Sequence, residues 1–153
     1  MVNDDVDEII QAGIDVIPPD SWLGRSMERA MQICDQSESF WDAWESLHTQ
    51  LWTPEHAAAS EALPQVYGIF KLTKGSFMEG MIWASNFGRD ADTIAAVVGA
   101  LAGARKGISS IPENWVEIAR KPSAVCLKFS EHEDVVNIAE ELAMLAGGWD
   151  HGN

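Results

Sequence analysis

The chain has 153 residues, enough for a domain that buries a large share of its surface. Apolar residues make up 46% and charged residues 22%, a globular rather than a disordered composition. The formal net charge of -14 argues against nucleic acid and against an anionic membrane as partners, since both reward Lys and Arg. An anionic substrate would need a local source of positive charge, such as a bound metal.

Asp4 and Asp5 precede Val6, Ile9, Ile10, Gly13, Ile14 and Ile17, a helical apolar stripe halted by Pro18-Pro19. Asp20 or Ser21 opens a second helix with Leu23, Met27, Ala30, Met31 and Cys34 inward. A third starts at Ser37 or Ser39 and spaces Trp41, Trp44, Leu47, His48 and Leu51 by three and four residues. Such a stripe is expected in the core, and Thr53-Pro54 ends it. Glu55 to Leu63 is alanine-rich and expected to be part loop. Pro64 suits the first position of a helix through Val66, Ile69, Phe70 and Leu72, closed by Lys74-Gly75. Ser76-Phe77-Met78-Glu79 has the form of a capping box and opens a helix through Met81, Ile82 and Ser85.

That helix delivers the chain to Asn86-Phe87-Gly88-Arg89-Asp90-Ala91-Asp92-Thr93, which runs straight into a helix of small and aliphatic residues. Asp90 or Asp92 can cap that helix, where the dipole favours negative charge. Two acids this close repel one another, however, and a cap needs only one. Carboxylate and hydroxyl oxygens are also what hard cations such as Mg2+, Mn2+ or Ca2+ prefer. Local chemistry leaves both readings open: an acidic helix start without metal, and a cation site. Gly99 and Gly103 each disfavour the helix by about 1 kcal/mol relative to alanine. With Ala95, Ala96, Ala100, Ala102 and Ala104 around them, they predict a central helix packed on several sides, ending at Lys106 with Gly107 as the stop. Its apolar run is far shorter than the roughly 20 residues a bilayer needs.

Pro112 begins a short helix bearing Trp115, Ile118 and Ala119, stopped near Lys121-Pro122. Ser123 to Phe129 is expected as loop or irregular helix. Ser130-Glu131-His132-Glu133 has the form of a second capping box, opening a last helix with Val135, Ile138, Ala139, Leu142 and Leu145 inward and ending at Gly147-Gly148. No strand pair, repeat or low-complexity linker stands out. The pattern predicts an all-α fold and a single domain over residues 1–153.

Cys34 and Cys126 have neither metal nor redox spacing, and no secretion leader opens the chain, so a cytoplasmic setting is expected. His48, His56, His132 and His151 form no zinc-ligand pair and are expected to be ordinary surface or packing residues. Nucleophile elbow, phosphate loop and dinucleotide fingerprint are all absent.

The string from Gly88-Arg89-Asp90-Ala91-Asp92-Thr93 through Ala104, then Gly107 and Ile111-Pro112-Glu113-Asn114-Trp115, resembles the ADP-ribosylglycohydrolase family. The segment Val16-Ile17-Pro18-Pro19-Asp20-Ser21 is also similar, and the resemblance runs from about Val6 to Lys121. It implies an all-α fold with two divalent cations, Mg2+ or Mn2+, that cleaves the glycosidic bond between ADP-ribose and a protein side chain. Asp90, Asp92 and Thr93 match the family's C-terminal metal ligands, Asp92 the one expected to bridge the ions. Asn86, Gly88 and Arg89 match the loop beside the ribose pocket.

The family's remaining ligands, a hydroxyl-Asp-Asp cluster and a glutamate acting on the water, belong to an N-terminal half that has no counterpart here. Asn3-Asp4-Asp5 looks superficially similar, but by motif order it falls where the two halves join and is taken as coincidence. The chain is therefore expected to be a C-terminal half without an assigned catalytic residue, inactive until completed by an N-terminal half or by self-association. The implied substrate is an ADP-ribosylated protein or small molecule, with the side chain released (arginine, serine or a guanidino compound) left open. The alternative is a non-catalytic ADP-ribose-binding or assembly module.

Overall fold

The computed structural model describes residues 4–55 and 57–147. Among them the chain is all-α, with eight α-helices and no strand. It divides into two compact units, joined between Ser110 and Ile111, a boundary that composition does not mark.

The first unit holds α1 (Val6–Ile14), α2 (Trp22–Asp35), α3 (Phe40–Gln50), α4 (Ala59–Leu72), α5 (Phe77–Asn86) and α6 (Ala91–Lys106). Four of these helices start on a side-chain oxygen that accepts an otherwise orphaned amide. Asp5 accepts from Glu8, Ser21 from Gly24, Ser39 from Asp42 and Ser76 from Glu79. Asp4, meanwhile, pairs with Arg105 and Lys106 at the far end of α6. Asn3 lies outside the described residues.

The hub is α4, which packs against α1, α2, α3, α5 and α6. It begins at Ala59, five residues before Pro64, so that Pro64 sits buried inside the helix instead of opening it. Proline there supplies no N–H to the Ser60 carbonyl and opposes the helix. Burial of Ala62, Val66, Ile69 and Phe70 on the surrounding faces overrides that preference.

By contrast, among the described residues α6 packs mainly against α4 and α5, with Ala102 also clustered with Ile10 of α1. Ile94, Ala95, Val98 and Ala102 are buried, whereas Ala96, Ala100 and Ala104 are exposed. The expected close approach does occur at Gly99, where a Cβ would stand 2.9 Å from the Met81 sulfur, and at Gly80 of α5, where it would stand 2.8 Å from Val98 Cγ1. Nothing described lies within 4 Å of such a Cβ at Gly103. Multi-sided packing of α6 is thus corrected to a helix with one open face.

On α3 the expected stripe holds at Trp44, Leu47 and Leu51 but not at Trp41. Phe40, Ala43 and Leu47 point inward, while Trp41, one residue out of phase with Phe40, is 67% exposed. Trp41 meets Trp83 edge to face, with ring centroids 4.8 Å apart.

The second unit contains α7 (Glu113–Ala119), a 3-10 turn at Lys128–Ser130 and α8 (Val135–Gly147). Asp134, not the expected Ser130, caps α8: its carboxylate accepts the Val136 amide at 3.0 Å and the Asn137 amide at 3.4 Å. Arg120 fixes the same carboxylate with Nε at 2.7 Å. Val135, Ile138, Leu142 and Leu145, expected inward, are exposed. A unit this small has too little surface of its own to enclose the apolar face of a 13-residue helix. The expected stop at Gly148 lies outside the described residues.

Gly80 and Gly103 differ in a testable way. Gly80→Ala drives a methyl into the stiff side chain of Val98, and is expected to lower stability by about 1–3 kcal/mol despite the better helix former. Gly103→Ala meets open space and is expected to raise it by up to about 1 kcal/mol. Urea denaturation of the two variants checks both signs.

Candidate functional site

The connection from α5 to α6 is four residues long, Phe87 to Asp90, and its shape is set from several sides. Phe87 is buried, with its ring against Trp44 and His48 and its carbonyl accepting Trp44 Nε1 at 3.3 Å. Gly88 follows at φ +94°, a backbone that a Cβ would strain. Arg89 is left-handed as well, at φ +58°, which for a residue with a Cβ costs about 1–2 kcal/mol.

What holds Arg89 there is Glu61, near the start of α4. Its carboxylate is completely buried, and Oε1 accepts Arg89 Nε at 2.6 Å while Oε2 accepts Arg89 Nη2 at 3.0 Å. Oε2 also receives the Thr53 amide at 2.6 Å and the Thr53 hydroxyl at 2.8 Å, whose single proton is shared with the Glu55 carbonyl. Arg89 Nη2 donates further to the Thr53 carbonyl at 2.5 Å, and the guanidinium carbon lies 5.5 Å from the centre of the Trp52 ring. Burial pushes the Glu61 carboxyl upward, but the bonds from Arg89 and Thr53 outweigh it and hold the group below the ordinary glutamate value. Glu61 in turn holds Arg89 even more firmly charged. One turn along α4, Gln65 is buried too, with neither amide atom partnered among the described residues. The hub helix therefore turns a polar edge inward beneath the loop.

Above this pair the loop delivers Asp90, Asp92 and Thr93. Asp90 occupies the N-cap position of α6, and its carbonyl accepts the Ile94 amide at 3.0 Å, yet its carboxylate makes no capping bond. Asp92 and Thr93 lie in the first turn and are exposed. Among the described residues, none of these three side chains has a hydrogen-bond or ion-pair partner. They are hard oxygen donors left uncommitted, which fits a divalent cation chemically, but only as a partial ligand set. No group of three or more His, Cys, Asp or Glu gathers for a metal ion among the described residues. Asn86, the last residue of α5, is exposed and donates Nδ2 to the Ile82 carbonyl at 2.8 Å.

Glu61 and Thr53 are absent from the candidates that spacing alone nominates, and so is His48. The His48 ring leans on Trp44 and Phe87, and its Nε2 lies 3.5 Å from where a Cβ on Gly88 would stand. His56 and His151 lie outside the described residues.

Fold and site together define an all-α protein with oxygen donors gathered at the mouth of a small-residue helix. The chain belongs to the ADP-ribosylglycohydrolase family, whose model matches residues 1–152. Among curated proteins it is similar to the ADP-ribosylarginine hydrolase Tri1 of Serratia proteamaculans (strain 568), 35% identical over 71 residues, or 46% of this chain and 17% of that protein. It is also similar to the ADP-ribosylarginine hydrolase Tri1 of Pseudomonas putida (strain GB-1), 45% identical over 42 residues, or 28% of this chain and 11% of that protein. The matched stretches thus span less than a fifth of either relative. No solved structure matches the chain significantly.

Because the folded Glu61 carboxyl sits below the ordinary value of about 4.3, its stabilisation is complete above that pH and disappears as pH falls through the depressed folded value. Glu61→Gln is therefore expected to be less stable than wild type at pH 7, with the gap closing on acidification. Urea midpoints at pH 7, 5 and 3.5 test this; a gap that stays constant contradicts it.

Proposed function

We propose that this chain supplies one side of the metal centre of an ADP-ribosyl hydrolase, cleaving the glycosidic bond between ADP-ribose and a protein side chain. Asp90, Asp92 and Thr93 would be the metal ligands in this reading, holding Mg2+ or Mn2+, with Asp92 as the ligand the two ions would share. Asn86, Gly88 and Arg89 form the loop beside the ribose. When bound, the cations orient ribose hydroxyls, activate a water and offset charge developing at the anomeric carbon. The chain's own residues hold the three oxygen donors at one end of a rigid helix and keep the adjoining turn in shape.

The observation that carries this reading is Asp90: a carboxylate at a helix N-cap that caps nothing. A capping role would satisfy an orphan amide and is worth about 1 kcal/mol. Leaving it unused beside a second acid makes sense if both carboxylates face a cation. The Tri1 relatives support arginine as the side chain released, since both are named ADP-ribosylarginine hydrolases.

Three ligand side chains are too few for two ions, so the site needs completion by a complementary N-terminal half or by a second copy. The open face of α6 favours a helical partner. Asp92 and Thr93 head the same exposed side of the helix as Ala96, Ala100 and Ala104, where small side chains let another helix come close. The second reading, an ADP-ribose-binding or assembly module without turnover, draws on the same open face.

Released ADP-ribose from an ADP-ribosylarginine substrate, measured with Mn2+ for the chain alone and mixed with an N-terminal half of the family, tests the reading. The chain alone is expected to be nearly inactive and the mixture active. Asp92→Asn in the mixture is expected to lose at least about 100-fold, since a direct ligand outweighs the 10–100-fold typical of an outer partner. A mixture that forms a complex and binds ADP-ribose yet releases none favours the non-catalytic module.

A further inference from the structure

We propose that Glu61 is a positioning residue for this site: acting through Arg89, it sets the left-handed turn that leads into Asp90 at the N-cap of α6. The inference rests on the metal-site reading above and assigns a role to a residue outside its ligand set.

The direction of Arg89 is the first reason. Nε and Nη2 both point inward, to Glu61 and to the Thr53 carbonyl, with the Trp52 ring against the guanidinium. A side chain committed in this way through Nε and Nη2 shapes the loop from beneath.

The second reason is what the pair does not need to do. α6 is already fixed to its neighbours by apolar contacts: Ile94, Ala95 and Val98 belong to the same core cluster as Ala62, Val66 and Ile69 of α4, and Gly80 and Gly99 lock α5 to α6. The loop between them is less determined. Phe87 is anchored, but Gly88 has no side chain and the Asp90 carboxylate makes no bond among the described residues. Among the described residues from Gly88 to Asp90, Arg89 alone ties the turn to the body by its side chain, and it does so in a conformation that a free chain avoids.

The third reason is the choice of chemistry. A buried ion pair is a poor way to gain stability, because an apolar pair of similar volume does as well or better. A bidentate arginine–carboxylate pair does fix an orientation, since both partners are planar and meet along two parallel bonds. Orientation is what a ligand-bearing turn requires, and outer partners that orient metal ligands are worth about 10–100-fold in affinity.

Mn2+ titration of the full chain, followed by the electron paramagnetic resonance signal of the free ion and repeated with the complementary half present, tests the role. Glu61→Gln is expected to weaken Mn2+ binding by about tenfold. Ile69→Val, a core change in the same helix, is expected to lower the melting temperature without altering the affinity. Equal effects of the two variants, or unchanged affinity in a folded Glu61→Gln, overturn the positioning role while leaving the metal site standing. Wild-type protein that takes up no Mn2+ under either condition overturns the metal reading and this one with it. If Glu61→Gln does not fold, Thr53→Val removes a single hydroxyl bond from the same carboxylate; a smaller weakening of the same sign supports the role, and no weakening contradicts it.

Discussion

A single buried carboxylate ties together the parts of this protein that have most to do with one another. Glu61 lies on the hub helix α4, its partner Arg89 sits in the turn before α6, and Thr53 comes from the segment that follows α3. Taking a carboxylate out of water is expensive, and removing any one of these partners leaves it under-satisfied. The three segments therefore meet on one carboxylate, with Arg89 in its left-handed conformation bonded to both Glu61 and the Thr53 carbonyl. On the function proposed here, Asp90 takes its placement from that coupling, beside Asp92 and Thr93 in the first turn of α6.

The second organising feature is asymmetry. α4 is buried along most of its length, yet α6, the helix that carries the candidate ligands, exposes Ala96, Ala100 and Ala104 on one side among the described residues. Helices made of alanine and glycine have little apolar area of their own to bury, so they gain stability through close backbone approach. Gly99 and Gly80 achieve that approach on the inner side. The outer side, from Asp92 and Thr93 to Ala104, keeps the same small-residue character without a described neighbour. Polar head and smooth flank lie on one face, so a partner docking along the flank would arrive at the donors.

Much of this was legible in the sequence, and for a consistent reason. Helix starts depend on one short-range bond each, so Ser76 could be read from local spacing, and the starts at Ser21 and Ser39 could be narrowed to two candidates each. The acidic mouth of α6 and its stop at Gly107 were legible in the same way. Features decided at long range were not. Glu61 stands in an alanine-rich stretch that gives no local reason for a strong helix, and its partner is 28 residues away. One clue was available: Glu61, Gln65 and Ile69 share a helical face, and a charge in line with an apolar position calls for a counter-charge. Pro64 misplaced the start of α4 because a first-turn preference is local, whereas the burial that overrides it is not. On α3, the expected stripe turned inward at Leu47 and Leu51, but Trp41 did not, because Phe40 and Ala43 take the buried positions at the start of the helix.

The central claim is that Asp90, Asp92 and Thr93 form one side of a cation site whose geometry the Glu61–Arg89 pair maintains. An anomalous difference map collected at the manganese edge, from crystals of the chain grown with its complementary half and Mn2+, tests it most directly. The account predicts density bonded to all three side chains, with Asp92 between two peaks and the bidentate Glu61–Arg89 pair intact below. Manganese bound elsewhere, or those three side chains diverging while the ion pair is intact, would contradict it.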